Sequence, residues 1–476
     1  MVVANWRDGA HPDAGGAEVY AERLAGELVE HGYRVTFVSA AHDPRRPVGT
    51  GGHRAPAAEP TAVEHLRGGG RWSVYPWVAA WLLRHRGDID VVVDCQNGIP
   101  FFAPLWVRRR TAVVCVVHHV HTEQFGLHFP APVAAVGRWL EGPATRWVYG
   151  RRVAVAVSPS TARGLRDRLQ WRGPIHVVPN GAPDVAPGPQ SGTGSEVGST
   201  TPTVVSVARL VVHKRVQLLV AAAAGLARRR PDVRVEIIGA GPELARLEPM
   251  VADLGLADVV TLAGRRSDDE VRASLDRSWL AVATTRGEGW GLSVLEAAAR
   301  GRPTLAFDVD GLRDAVRTGR TGWLIPDGAP LDEAIDDALT ELADPTIRAN
   351  LATECRRWAA EFTWPGSGRR LASVICAATA AAARSGPERR RVVDDATLVE
   401  LDRSGAPPSR WQLRVTDRFG VWESRPWLLL TGCTTAEVRP VLARSGVAVE
   451  AVVAMRPATP EDLLRAVPLR SVVGQR

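Results

Sequence analysis

Two carboxylates eight positions apart, Glu288 and Glu296, bracket a Gly-Trp-Gly-Leu core in the stretch TTRGEGWGLSVLEAAARGRP, residues 284–303. On an unbroken helix that spacing would put both on one face, but Gly289 and Gly291 argue against an unbroken helix. The pattern predicts a strand over 280–284, a loop carrying Glu288, and a helix from about Leu292 that stops before Gly301-Arg302-Pro303. Glu288 then sits at the mouth of a cleft. Glu296 lies about a turn inside the helix, near exposed backbone N–H groups that favour anions, phosphates above all. The stretch reads as a site for a molecule carrying both hydroxyls and phosphates. Elsewhere in the chain Lys214 is the single lysine among 59 basic residues. In so arginine-biased a chain, a retained lysine suggests a need for a compact amine.

Such residues need a scaffold. The chain opens on a short apolar strand, 2–5, then a glycine turn, HPDAGGAEVY, and a helix with Tyr20, Leu24 and Leu28 on one face. Gly32 closes the helix and RVTFVSA makes the next strand, a β-α-β beginning. Further strands are expected at 90–94, 112–117, 153–157 and 176–178, and residues 49–70 read as a loose Gly/Pro/Ala-rich loop. After a Gly/Pro/Ser-rich linker, 184–201, the alternation restarts with strands TVVSVA, VRVEIIG, VVTLAG, LAVATT and PTLAF. The expected fold class is therefore α/β: two doubly wound Rossmann-like domains facing a cleft, plus a C-terminal extension. The boundaries read as 1–183, linker 184–201, 202–345, a closing helical segment 346–384, and an extension 385–476 of unknown role.

Composition narrows the function. No apolar run reaches the roughly 18 residues needed to span a membrane; the longest, 371–383, is alanine-rich. The N-terminal stretch shows no secretory signal pattern. Five scattered cysteines form no CxxC pair, so a reduced cytoplasmic protein without structural zinc or disulfides is expected. Residues 101–172 hold 11 Arg against 3 acids, a local +8 that exceeds the whole-chain +7. A solvated surface is the first reading of that segment and an anionic membrane face the second. Nucleic acid is the weakest, since no recognition signature accompanies the charge.

Several motifs in order resemble the GT-B fold glycosyltransferases of the retaining family 4: GGAE opening the first helix, SPS at 158–160, VVPNGAP before the linker, ARLVVHKR, GAGPE at 239–243, and the E-x7-E of Glu288 and Glu296. The resemblance covers roughly 1–384. It implies a retaining, metal-independent transferase that moves a hexose from a nucleotide-diphosphate sugar to an acceptor hydroxyl. By the same resemblance Arg209 and Lys214 bind the donor pyrophosphate, Glu296 the ribose, and the backbone of Gly291, Leu292 and Ser293 a phosphate. Glu288 meets donor-sugar hydroxyls near the reacting carbon. Gly15 and Gly16 form the glycine turn where backbone approaches the donor phosphates. A histidine close to the transferred sugar fits His118 best, as the first residue past a strand, with His119 and His121 as runners-up; a metal held by the three is the weaker reading. The strings Asp88-Ile-Asp90 and Asp308-Val-Asp310 are not taken as metal motifs. No cofactor is expected beyond the substrate, a GDP- or UDP-sugar. The acceptor is a glycan, a lipid-linked or a small molecule, with an anionic membrane surface as a further partner and nucleic acid as none. The alternative is a non-catalytic GT-B protein that binds a nucleotide sugar or acts as a scaffold; a GT-B epimerase is weaker still.

Overall fold

The computed structural model describes residues 1–11, 14–42, 63–122, 124–182 and 201–384, and in the tail 397–402, 418–422, 425–430, 433, 435–436, 438–445 and 449–457. The expected linker and most of the 49–70 segment lie outside the described residues.

The chain divides into two compact units, Met1–Val107 with Val113–Val374, and Arg108–Ala112 with Ile375–Arg476. The first unit holds two sheets. Strands β1 (Val2–Ala4), β2 (Thr36–Ser39), β3 (Glu64–Arg67), β4 (Val91–Asn97), β5 (Ala112–His119), β6 (Ala154–Ala156) and β7 (Ile175–Val177) form the first, in the order β3-β2-β1-β4-β5-β6-β7. Strands β8 (Thr203–Val207), β9 (Arg234–Ile238), β10 (Val260–Gly264), β11 (Leu280–Ala283), β12 (Thr304–Phe307) and β13 (Gly322–Ile325) form the second, in the order β10-β9-β8-β11-β12-β13. All five pairings of the second sheet are parallel. Parallel strands covered on both faces need near-continuous apolar runs. β5 supplies one: AVVCVVH is buried throughout and only His119 is half-buried. The architecture is α/β with two doubly wound Rossmann-like sheets, as expected.

In the first half the helices are α1 (Gly16–Glu30), α2 (Val74–His85), α3 (Phe125–His128), α4 (Ala131–Trp139), α5 (Thr145–Tyr149) and α6 (Pro159–Asp167). In the second they are α7 (Val216–Arg229), α8 (Leu244–Asp253), α9 (Asp268–Arg277), α10 (Leu292–Ala299), α11 (Leu312–Ala315), α12 (Leu331–Leu342) and α13 (Pro345–Ala360). The helical stretch expected over 346–384 is broken at 361–363, after which α14 (Trp364–Arg384) begins. That break returns the chain to the first half: Ala182 N–H donates to Phe362 O at 2.8 Å, Ser367 Oγ to Pro179 O at 2.7 Å, and Gly181 lies against Trp364.

Three differences from expectation are local. β3 forms where a loose loop was read: a half-exposed edge strand, its sequence EHLR has no apolar alternation to announce it. β5 runs through His119, so His118 lies within the strand and not just past it. The tail of the second unit, read from sequence only as an extension of unknown role, carries its own four-stranded sheet. Its strands are β14 (Thr397–Leu401), β15 (Arg418–Trp422), β16 (Arg425–Leu430) and β17 (Val452–Pro457), ordered β15-β16-β14-β17, with antiparallel pairing. Val399, Leu401, Leu428, Leu430 and Leu442 form its core.

Candidate active site

In open parallel sheets, ligands bind outside the carboxyl ends of the strands where the order reverses. Here the reversals fall between β1 and β4 and between β8 and β11. The loops leaving those four strands carry Gly15–Gly16, Asn97–Gly98, Arg209–Lys214 and Gly287–Gly291, and all line one cavity of about 430 Å³.

The glycine turn is built for close approach. Glu18 accepts from Gly15 N–H at 2.8 Å in a buried capping arrangement that fixes the start of α1. A Cβ on Gly16 would lie 2.7 Å from Leu292 Cδ1, and one on Gly15 3.9 Å from the Arg209 guanidinium carbon. The start of α1 therefore abuts both the Arg209 loop and the start of α10. Arg209 itself is held by backbone: Ala208 N–H donates to Ile238 O at 3.0 Å and Leu210 N–H to Ala240 O at 3.0 Å. Only glycine fits at 239 and 241, where a Cβ would meet Ala208 O at 1.8 Å and Leu210 O at 2.2 Å.

Lys214 ends a 3-10 turn, Val212–Lys214, and its Nζ donates to Glu288 Oε1 at 2.5 Å with both side chains mostly buried. Arg215 anchors this turn in a left-handed conformation (φ 51°). Its guanidinium donates to Thr284 O and Thr285 O at 2.9 Å each and pairs with Asp327 at 2.7 Å. The Glu288 loop is wedged against the first sheet: a Cβ on Gly289 would lie 2.1 Å from His118 O. Thr161 Oγ1 sits between the two strand ends, 3.3 Å from His118 O and 3.4 Å from Gly289 O. Gly291, at φ 94°, then opens α10, and Leu292 and Ser293 also line the cavity. Glu296 follows on α10, half-buried, and is not among the residues lining the cavity.

His118, His119 and His121 all line the cavity. Burial, with His121 adding a like charge, pushes His118 down to about 3, so its imidazole is neutral. His119 is also pushed down to about 3, chiefly by burial and then by His121, although its ring is hydrogen-bonded to the Glu288 backbone. The His118 ring meets Tyr20 edge-on at 5.1 Å. Its Nε2 is buried without a hydrogen-bond partner, as are Asn180 Oδ1 and Trp290 Nε1, and all three residues line the cavity. An unsatisfied buried polar atom costs about 1–3 kcal/mol. Three at one cavity mark where a polar ligand finds partners. Asn180 and Trp290 were not singled out from sequence, nor was Glu141, which is fully buried in a π-helical turn, Leu140–Ala144. It accepts from His121 N–H at 2.5 Å and Thr122 Oγ1 at 3.0 Å. The turn containing Pro143 was the available signal.

Neither D-x-D string lines the cavity, although Asp310 O accepts from Glu288 N–H at 2.9 Å. Asp88 and Asp90 precede β4, at the strand end opposite the cavity. Asp308 pairs with Arg313 at 2.9 Å, and Asp310 with Arg168 at 2.6 Å. Among the described residues one cluster, Asp8, Glu22 and His65, has metal-ligand spacing, and Asp8 is already paired with Arg67.

Two Rossmann-like sheets enclosing a cavity at their carboxyl ends, with a helix N-terminus and two cations on one wall, define a GT-B nucleotide-binding architecture. Residues 14–184 match the family described as Glycosyltransferase Family 4, and residues 194–358 that described as Glycosyl transferases group 1. The chain belongs to the GT-B glycosyltransferases of family 4. It is 36% identical over 183 residues to a GDP-mannose-dependent alpha-(1-6)-phosphatidylinositol monomannoside mannosyltransferase of Mycolicibacterium smegmatis, covering 37% of this chain and 47% of that one. A D-inositol 3-phosphate glycosyltransferase of Nocardia farcinica is 29% identical over 406 residues, covering 77% and 85%. The chain spans about half the length of the first relatives it matches. Among solved structures, sucrose-phosphate synthase from Thermosynechococcus elongatus superposes with a TM-score of 0.61 at 19% identity, over 80% of this chain and all of that one. Anabaena HepE in complex with UDP and glucose gives 0.58 at 18%, over 79% and 98%. These structures share the fold.

Proposed function

We propose that the protein is a retaining, metal-independent hexosyltransferase that uses a GDP- or UDP-sugar and acts on a glycolipid or polysaccharide precursor. The observation that carries this reading is the single cavity into which Gly15, Gly16, His118, Arg209, Lys214, Glu288 and the start of α10 converge. Arg209 and Lys214 bind the diphosphate and stabilise its departure by charge, the role a divalent ion would otherwise fill. The N–H groups of Gly291, Leu292 and Ser293 add the helix N-terminus. Glu296, a turn along α10, takes the ribose. Glu288 accepts from sugar hydroxyls, and the neutral His118 ring offers a partner to the transferred sugar. Retention follows if the acceptor attacks from the donor's own face and the leaving phosphate takes its proton. The relative from Mycolicibacterium smegmatis, named as GDP-mannose-dependent, supports GDP; the HepE complex with UDP supports UDP.

Thermal shift with GDP, UDP and ADP tests the donor site first, because a ligand at 100 times its Kd stabilises by about 2.7 kcal/mol. Hexose transfer or slow donor hydrolysis with the nucleotide that binds tests the rest. Absence of stabilisation by every nucleoside diphosphate refutes the reading.

A further inference from the structure

Beside the donor cavity lies a second one, of about 620 Å³, walled by α2, α4 and the loop after β4, with no charged side chain among its lining residues. The two are continuous: Trp72, Tyr75, Ile99, Phe125 and Phe129 line both. α2 is apolar on two faces. Val74, Val78 and Leu82 enter the core of the first sheet, whereas Tyr75, Ala79 and Leu83 line the groove. The few polar side-chain groups in the wall turn to backbone: Tyr75 OH donates to Ile99 O at 3.5 Å and Trp106 Nε1 to Phe101 O at 3.0 Å.

The groove floor is held in place. Phe102 adopts φ 55°, a left-handed conformation unfavourable for an aromatic residue. On either side of it, Phe101 N–H and Ala103 N–H each donate at 3.0 Å to the buried carboxylate of Asp94, which Tyr149 OH also meets. Gly137 on α4 has no Cβ, which would otherwise fall 2.6 Å from the Phe125 ring, so the ring packs directly against the helix backbone. Strain of this kind persists only where the surroundings over-determine it, and it concentrates at functional sites. At the outer end Leu83, Val133 and Val136 are 41%, 51% and 57% exposed.

A ligand filling both cavities has a polar end among the histidines and donor groups and a hydrocarbon end in the groove. We propose that the acceptor is an amphipathic glycolipid whose alkyl chain occupies this groove, which aims its hydroxyl end at His118 and Glu288. The inference rests on the transferase reading for the polar end and on the groove alone for the chain.

The test uses submicellar n-alkyl β-glucosides from methyl to decyl, titrated calorimetrically into the full chain without donor. Each methylene buried contributes about 0.8 kcal/mol, so affinity should rise about fourfold per methylene until the groove is full. Ala79→Trp fills the groove and should flatten that series by at least tenfold at octyl. Val136→Asp, at a position 57% exposed, should weaken it as well. Stabilisation by nucleoside diphosphate should be unchanged in both. Affinity independent of chain length, or an unaltered series in both variants, overturns the proposal. So does binding to phosphatidylcholine vesicles without any binding of submicellar glucosides, which would make the exposed rim a bilayer contact. A dimer that Ala79→Trp dissociates would make the groove a subunit interface and also overturns it. If the glucosides bind as expected while no nucleotide does, the donor assignment fails and the groove assignment stands. The converse result fails the groove alone.

Discussion

Without donor, Lys214 is engaged by Glu288, and this pairing makes a prediction opposite to the usual effect of mutating a binding site. Their 2.5 Å contact lies between side chains only 17% and 15% exposed. It therefore exceeds an exposed ion pair, about 0–1 kcal/mol, and approaches a charge-assisted hydrogen bond, about 1.5–3 kcal/mol. A nucleoside diphosphate must draw Lys214 at least partly away, and it must also enter beside the Glu288 carboxylate. It carries no transferred hexose to repay that carboxylate with hydroxyl donors. Glu288→Gln removes the pair and the like charge while keeping the shape of the side chain. Allowing for partial re-solvation, the gain to the diphosphate is about 1–2 kcal/mol, or about 5- to 30-fold in Kd.

Transfer should move the other way. The amide cannot accept from sugar hydroxyls as a carboxylate does, and kcat should fall about 100-fold, the scale of one lost transition-state contact. The assay is calorimetric titration with whichever of GDP or UDP stabilises the wild type, at low and at 0.5 M salt, alongside turnover. Lys214→Ala supplies the second edge of a double-mutant cycle: in that background Glu288→Gln should gain little. Nucleotide binding by Glu288→Gln that is equal to or weaker than wild type would refute the competition, and with it the view that Lys214 exchanges a carboxylate for the diphosphate.

Three further outcomes can be measured independently. Lys214 is the chain's single lysine, so an amine-reactive label has it and the α-amine as targets; saturating nucleotide should suppress labelling of Lys214 alone, and unchanged labelling would remove it from the site. Gly289→Ala puts a Cβ 2.1 Å from His118 O, whereas Gly287→Ala meets only His119 Cε1 at 3.7 Å. The first should lose about 1–3 kcal/mol in chemical denaturation and most activity, and the second little of either. His118 is held below its unfolded pKa of about 6.5, so between about pH 3 and 6.5 the unfolded chain binds the extra proton, and stability falls as pH drops through that window. From pH 7 to pH 5 that term is about 2 kcal/mol, and His118→Gln should lose that much less than wild type over the same range. Glu22, raised to about 7 by burial, acts in the opposite sense between about pH 4.5 and 7, so the comparison is variant against wild type.

What was legible in the chain was local. Gly15–Gly16, the Arg209–Lys214 pair and the Glu288–Glu296 stretch each combine a strand end with a turn or helix start within a few residues. Glycine position and helix punctuation place Glu288 at a cleft, the family resemblance adds Gly15, Gly16, Arg209 and Lys214, and Glu296 alone of these does not line the cavity. The parallel-sheet class was legible for the same reason, since runs such as AVVCVVH in β5 leave no exposed face. β3 was not, because a half-exposed edge strand has no apolar alternation to announce it. Nor were the groups that act across distance. Asp94 fixes the Phe101–Ala103 backbone from the middle of β4, and Glu141 holds the His121 backbone from a helix twenty residues away. In sequence each is one acid in an ordinary strand or helix. Burial is what gives them their roles: a carboxylate removed from water must find donors, and the donors it finds are loops that would otherwise be free to move. The visible motifs thus name groups that line the cavity, while the buried acids fix the backbone beside the groove. In this chain both acids hold backbone next to the apolar groove, so the side of the cleft to which the acceptor is proposed to bind is shaped by residues that carry no motif.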